Sequence, residues 1–427
     1  MTASAGRETQ SEIYRAGVAG RTPRIPTSFP SLERAAERKM TRAAFAYVAG
    51  SAGLERTDAA NTSAFRRHRI VPRVLRDVAD RDLSIDLFGK RRATPLLLAP
   101  IGVLDLAHPD ADVAAARAAA ALDIPAVLSN QASTPMESVA AAMDGVRPGA
   151  SRWFQLYWSS SDELVASLVS RAEASGCEAI VVTLDTHVLG WRPRDLDLGY
   201  LPFSRGRGIA QYTSDPVFRR LVQERLASGY RRARTPITPQ TIASFASILR
   251  HHPGSLRENL RSPEPLAAIE TFLDVFANPA LTWNDLAFLR ERTRLPIVLK
   301  GVLHPDDAER AIDAGVDAVQ VSTHGGRQID GEIASLDALP AIIDRVAARI
   351  PVLFDSGVRS GADALIALAL GATAVALGRP YVYALAVGGE AGVKELLRNT
   401  LAEFDITLGL AGARNISELG PGILESR

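Results

Sequence analysis

The stretch VSTHGGRQID, residues 321–330, places a histidine, two glycines and an arginine directly after an apolar run. His324 is a candidate base, Gly325 and Gly326 let the backbone approach a ligand closely, and Arg327 offers a planar two-bond grip for a carboxylate. A base beside an anion clamp suits proton removal from a small acid. Asp185, at the end of AIVVTLD, can fix the tautomer of an imidazole. Lys300 stands next to last in PIVLKG, where a buried ammonium needs a negative or electron-rich partner. DSGVRSG (355–361) and GRP (378–380) offer Asp355, Gly357, Arg359, Gly378 and Arg379, a combination of glycine backbone and guanidinium that suits a phosphate.

These residues need a scaffold that brings strand ends together. Apolar runs too short for helices recur at 94–100, 124–129, 151–157, 179–185, 296–301, 318–323, 351–356 and 374–378. Each reads as a strand buried on both faces. Helical patterns such as SDELVASLVSRAEASG and GADALIALALGA lie between them, opened by Ser or Asp and closed by Gly. Eight strand–helix units predict an α/β fold, a (β/α)8 TIM barrel, with active-site residues at the C-terminal strand ends. The polar residues fall there: Ser129 after the second run, Gln155 and Tyr157 in the third, Thr183 in the fourth and Ser322 in the sixth.

The spacing between the fourth and fifth runs is much longer than the others. It holds a helix at 280–293, preceded by an Arg-, Ser- and Pro-rich segment, 192–279, that reads as irregular and lid-like. Residues 1–90 carry helical patterns that are expected to flank the barrel, so residues 1–427 read as one domain. His251 and His252 are adjacent, but no third ligand stands at metal spacing, and no metal is expected.

Lys plus Arg number 49 against 48 Asp plus Glu, so no global field favours nucleic acid or an acidic membrane. One cysteine, Cys177, excludes an intramolecular disulfide. No segment resembles a signal-peptide core or a membrane span, which points to the cytoplasm.

The motifs LLLAPIG, WFQLY, VVTLDT, VLKGV, STHGGRQID, FDSGVRSGADALIALALGA and LGRPYVY stand in an order that resembles the FMN-dependent L-2-hydroxy-acid oxidases and dehydrogenases, among them glycolate oxidase and lactate oxidase. EIY, GWRPRDLDLGYLPFSRG and YTSDPVF are most similar to the lactate 2-monooxygenase branch. The resemblance implies FMN, with Ala99, Pro100, Ile101 and Gly102 under the isoalloxazine. It also implies Ser129, Gln155, Thr183 and Ser322 around the flavin, and Lys300 stabilising the reduced form. Asp355, Gly357, Arg359, Gly378 and Arg379 would hold the ribityl phosphate. Tyr47 and Arg327 would clamp the substrate carboxylate with help from Arg192, Tyr157 would bond its hydroxyl, and His324 would be the base paired with Asp185. The implied partners are a small 2-hydroxy acid and oxygen, in a homotetramer or homo-octamer.

Three positions bear on the substrate and the outcome. The family usually has Asn where Thr323 stands, and Gln131 aligns with an active-site Trp of glycolate oxidase. Gly102 stands where family oxidases often carry Ala and the monooxygenase branch Gly. The competing readings are a peroxide-releasing oxidase or dehydrogenase for a larger or aromatic 2-hydroxy acid, and a non-catalytic flavin-binding barrel.

Overall fold

A computed structural model describes residues 5–229 and 236–426. The first four residues of the flank, 230–235 of the insertion and residue 427 lie outside the described residues. Eight parallel strands close a barrel: β1 (Leu96–Leu98), β2 (Ala126–Leu128), β3 (Arg152–Tyr157), β4 (Ile180–Thr183), β5 (Ile297–Lys300), β6 (Ala318–Val321), β7 (Val352–Phe354) and β8 (Ala374–Leu377). Each pairs with the next in the chain, and β8 returns to β1 with Val375 opposite Leu96. All eight strands fall within the expected runs.

The period-two alternation of a strand sends successive side chains to opposite faces. Outward residues such as Leu96, Phe154, Val182, Leu299 and Val321 pack against the surrounding helices in the main core. Inward residues at the lower end, Leu97, Val127, Trp153, Val181, Val298, Ala318, Leu353 and Ala374, fill the barrel. A hairpin, Ile85–Leu87 with Lys90–Arg92, closes that end, and its turn residue Phe88 lies 5.5 Å from the Trp153 ring. Two or four residues further along the same inward face come Ala99, Ser129, Gln155, Thr183, Lys300, Ser322, Asp355 and Gly378. One face of each strand therefore changes from apolar packing to polar chemistry towards its C-terminal end.

The N-terminal flank forms helices Phe29–Lys39 and Arg42–Ala49, whose Leu32, Ala36, Met40 and Ala44 pack on Tyr383 and Ala384 of the helix Arg379–Ala411. The insertion differs from expectation, being largely helical instead of irregular. It contains Pro216–Ala227, Pro239–His251, Leu256–Arg261 and Glu264–Val275. The same Ser, Thr, Asp and Pro residues that suggested loop serve as caps. Asp215 and Thr238 each accept a first-turn N–H and precede a proline, and Ser255 with Glu258 forms a capping box. The helix expected at 280–293 is Asp285–Arg292. No described helix is long and apolar enough to cross a membrane.

Candidate active site

His324 follows β6 in a tight 3-10 turn, with φ +54, a left-handed conformation that non-glycine residues rarely adopt. Three neighbours fix its ring: Asp185 Oδ1 lies 2.7 Å from Nδ1, Thr186 Oγ1 3.3 Å from Nδ1, and the Tyr157 hydroxyl 3.5 Å from Nε2. With Nδ1 protonated toward Asp185, Nε2 is left with a lone pair, as a base requires. Gly301, at φ +100, follows β5 beneath Asp185, and a Cβ there would come within 2.8 Å of Asp185 Cβ. Only glycine lets the strand end pass so close.

Charge in this region is balanced through Lys300. Its Nζ donates to Ser322 Oγ at 2.7 Å and lies 3.5 Å from both Asp185 Oδ2 and Asp355 Oδ2. Burial disfavours the ammonium, yet the two carboxylates outweigh it and raise the Lys300 pKa. Asp185 is likewise buried, but His324 and Lys300 hold it below the usual carboxylate range. Burial lowers His324 from its ordinary value, with Asp185 opposing. Burial next to Asp185 pushes the Tyr157 phenol up to about 12, so it stays a donor at neutral pH. Asp355 accepts from Ser322, Ser356 and Gln320 at 2.6–2.7 Å, completing the network.

Arg327 and Arg192 form the second group. Arg327 uses Nη1 on the carbonyls of Tyr47 and Gly50, 2.6 and 2.7 Å away, with its guanidinium 5.0 Å from the Tyr47 ring centroid. Arg192 donates to the Arg327 carbonyl and to Gln328. Neither guanidinium has a carboxylate within ion-pair distance among the described residues. Burial and mutual repulsion bring Arg327 down to about 10, a cost that an incoming anion would relieve.

Both groups open on one cavity, lined by Tyr47, Tyr157, Arg192, Lys300, His324 and Arg327 among others. Ala99, Pro100, Ile101 and Gly102 line it just after β1, and Gly357, Arg359, Gly378 and Arg379 line it after β7 and β8. Arg359 Nε is buried without a hydrogen-bond partner, and Gly357 is left-handed at φ +90, with its Cα against Asn61. Arg359 Nη1 donates to the Val358 carbonyl and Nη2 lies 3.5 Å from Asp58 Oδ1, so a guanidinium with one buried N–H without a partner among the described residues, beside two cavity-lining glycines, fits a phosphate. Arg379 is used differently from expectation: its five donors go to Val48, Asp58, Gly325, Gly50 and Ser51. Its side chain ties the flank to the His324 turn, and only its backbone N–H is left to offer an anion.

Ser129, Gln155 and Thr183 are joined by hydrogen bonds of 2.9 Å across β2, β3 and β4 and stand behind the cavity lining. Thr323 accepts from Asn61 Nδ2 at 2.8 Å, so the side chain after β6 is fixed by the flank. Gln131 lines the cavity, and a Cβ on Gly102 would lie 2.8 Å from its carbonyl oxygen. The sequence reading omitted Gln320, Thr186, Ser356 and the lining residues Leu189, Phe203 and Phe276. Gln320 carried a signal, as a polar residue in the middle of AVQVST.

A barrel whose mouth gathers an Asp-paired histidine, two arginines without carboxylate partners among the described residues and a glycine- and arginine-lined stretch suits an oxidoreductase that holds a phosphate-bearing cofactor beside a small acid. Comparison with known proteins agrees: residues 36–426 match the FMN-dependent dehydrogenase family. The chain is 40% identical over 410 residues to an FMN-dependent alpha-hydroxy acid dehydrogenase of Penicillium citrinum, covering 96% of this chain and 93% of the relative. It is 41% identical over 411 residues to an L-lactate oxidase of Lysinibacillus sphaericus, covering 96% and 95%. Mandelate oxidase solved with (S)-4-hydroxymandelic acid superposes with a TM-score of 0.75 at 35% identity, over 94% of this chain and 99% of that one. The chain belongs to the FMN-dependent alpha-hydroxy acid oxidase family, and its cofactor is FMN.

Proposed function

We propose that this chain oxidises a short, lactate-like L-2-hydroxy acid to the 2-keto acid with oxygen as acceptor. The observation that carries the reading is that His324, held by Asp185, lines one cavity together with Arg327 and Arg192, neither of which has a carboxylate partner among the described residues. The two guanidinium groups and Tyr47 bind the substrate carboxylate. Tyr157 orients the hydroxyl, His324 takes a proton at Nε2, and Asp185 holds the resulting imidazolium. FMN, when bound, would supply the two-electron acceptor. Ala99, Pro100, Ile101 and Gly102 would hold its ring together with Lys300, Ser322, Ser129, Gln155 and Thr183, and Asp355, Gly357, Arg359, Gly378 and the Arg379 backbone would hold its phosphate.

The insertion 192–279 acts as a lid in this reading, supported by Arg192, Phe203 and Phe276 in the cavity wall. A lid that delays keto-acid release favours the lactate 2-monooxygenase outcome, in which keto acid and peroxide yield a shorter acid, carbon dioxide and water. Assembly as a cytoplasmic homotetramer or homo-octamer belongs to the same proposal. Exposed Leu54, Val188, Trp191 and Ile329 support an assembly contact.

A second reading, an aromatic 2-hydroxy acid, is favoured by the apolar lining of Leu189, Phe203 and Phe276. The test is the visible spectrum of the holoprotein under nitrogen with L-lactate or (S)-mandelate. Bleaching by lactate supports the first reading and bleaching by mandelate alone the second. An oxidised spectrum with every 2-hydroxy acid tried would overturn both.

A further inference from the structure

A second pocket lies outside the catalytic cavity, where the N-terminal flank meets the insertion, and its lining holds Arg42, Arg205, Arg207, Arg250 and His251 beside Tyr200. No Asp or Glu lines it. In a chain whose 49 Lys plus Arg nearly balance 48 Asp plus Glu, four guanidinium groups and a histidine on one concave surface are a local excess of one sign.

The surrounding structure fixes where these groups stand. The Arg205 carbonyl accepts from Ser247 Oγ at 2.9 Å, which ties the turn carrying Arg205 and Arg207 to the helix Pro239–His251 that carries Arg250 and His251. The Arg205 guanidinium lies 4.8 Å from the Tyr200 ring centroid. From the flank, Thr41 Oγ1 caps the helix Arg42–Ala49, whose first turn contains no acidic residue and brings Arg42 to the pocket. Asp105, beyond β1, accepts from Arg207 Nη1 at 2.5 Å and lies 3.3 Å from His251 Nε2. It answers those two groups only. Arg42, Arg205 and Arg250 have no carboxylate within ion-pair distance among the described residues.

A single exposed ion pair gains little, because water and salt screen it. Three guanidinium groups on one pocket therefore favour a ligand that meets several of them at once, and each presents a planar fork that matches phosphate oxygens. We propose that this pocket binds a small anion carrying two or more phosphate groups, which bridges the flank to the insertion. Two connections lead from it to the catalytic cavity. Tyr47, on the same helix as Arg42, lines that cavity, and its carbonyl accepts from Arg327. Phe203, two residues before Arg205, lines it as well. An anion held by Arg42 from the flank and by Arg205 and Arg250 from the insertion draws the two segments together and steadies both contributions to the cavity wall. No bond is made or broken.

The test is isothermal titration of inorganic pyrophosphate into the oxidised holoprotein, at constant ionic strength set with sodium chloride. One saturable site per chain is expected. Arg42 and Arg250 are exposed, so the double variant Arg42→Ala/Arg250→Ala should fold, and it should bind pyrophosphate roughly tenfold or more weakly through loss of two charge-assisted contacts. Amide exchange in the helix Pro239–His251 should slow on adding pyrophosphate to the wild type and not to the double variant. No saturable binding by the wild type overturns the proposal, as does an affinity unchanged in the double variant or exchange slowed equally in both. A double variant that changes its assembly state, with no pyrophosphate bound by the wild type, would assign these arginines to a contact between copies of the chain and overturn it too. The titration needs no 2-hydroxy acid, so failure of flavin reduction would bear on the proposed function alone.

Discussion

His324 Nδ1 lies 2.7 Å from Asp185 Oδ1, although the His324 backbone is in the left-handed region. The strain is held by Ser322 Oγ, which accepts the His324 N–H, and by Ser356 Oγ, which accepts that of Gly325. Asp185 is anchored from β4 and His324 from β6, with Lys300 on β5 between them. The His324 ring is thus aimed by three neighbouring strands. His324→Ala should keep bound flavin and its yellow colour but slow flavin reduction by about 10²–10⁴-fold, the range for a positioned general base. Stopped-flow reduction at the wild-type rate would remove His324 from the role.

The pH dependence follows from the same pair. His324 is lowered from its ordinary 6.5, chiefly by burial, so it is neutral at neutral pH and flavin reduction should fall only as pH drops through a value under 6.5. For stability, the unfolded chain protonates this histidine more readily than the folded one, so the folded state loses stability as pH drops below 6.5. Asp185 is lowered, so its contribution is present above its ordinary 3.8 and is lost as pH falls through its folded value. Urea midpoints that rise steadily on acidification from neutral pH would contradict these signs.

The barrel and the inward polar residues were legible in the sequence because short apolar runs ended in polar residues of constant parity. Gln155, Lys300, Ser322 and Asp355 each follow an inward apolar residue by two or four positions. The role of the Arg379 side chain was not legible. Its partners Val48, Gly50, Ser51 and Asp58 lie more than three hundred residues away, and an arginine after Gly378 looks the same whether it faces a phosphate or a flank. The insertion was misread for a different reason: Ser255 and Glu258, Asp215 and Thr238 are cap residues, and composition alone cannot tell a cap from a loop.

Arg327→Lys tests the anion clamp. Arg327 spends Nη1 on Tyr47 and Gly50 while Nε and Nη2 have no hydrogen-bond partner among the described residues. A lysine ammonium cannot hold both carbonyls and still present a planar edge to a carboxylate. The apparent substrate affinity should weaken by about tenfold or more, the loss of one charged hydrogen bond of roughly 1.5–3 kcal/mol. An unchanged half-saturation concentration for flavin reduction would count against the clamp.

Lys300→Met should be costly to the fold itself. Lys300 is 4% exposed, and its removal leaves Asp185 and Asp355 without their shared cation. Breaking a buried pair from one side costs about 3–5 kcal/mol. The urea midpoint should therefore fall clearly, and Lys300→Arg should recover part of the loss while disturbing the contact with Ser322. A midpoint within error of wild type would mean that water or local rearrangement satisfies both aspartates.

Gly102→Ala separates sterics from chemistry at the cavity wall. A methyl there meets the Gln131 carbonyl oxygen at 2.8 Å and Gln131 Cβ at 2.9 Å, and that carbonyl already accepts the Val103 N–H at 2.9 Å. The new methyl can be accommodated only if the backbone beyond β1 or β2 shifts, at about 1–3 kcal/mol for overpacking. Because Gly208 of the insertion also lies against Gln131, with a Cβ there 3.0 Å from the same oxygen, the shift should reach the lid as well as the wall. The expected result is a lower Tm together with faster release of keto acid into solution in air, read as more peroxide per flavin turnover. A variant with wild-type Tm and an altered product ratio would mean that the methyl acts directly in the cavity and that the Gln131 contact yields without cost.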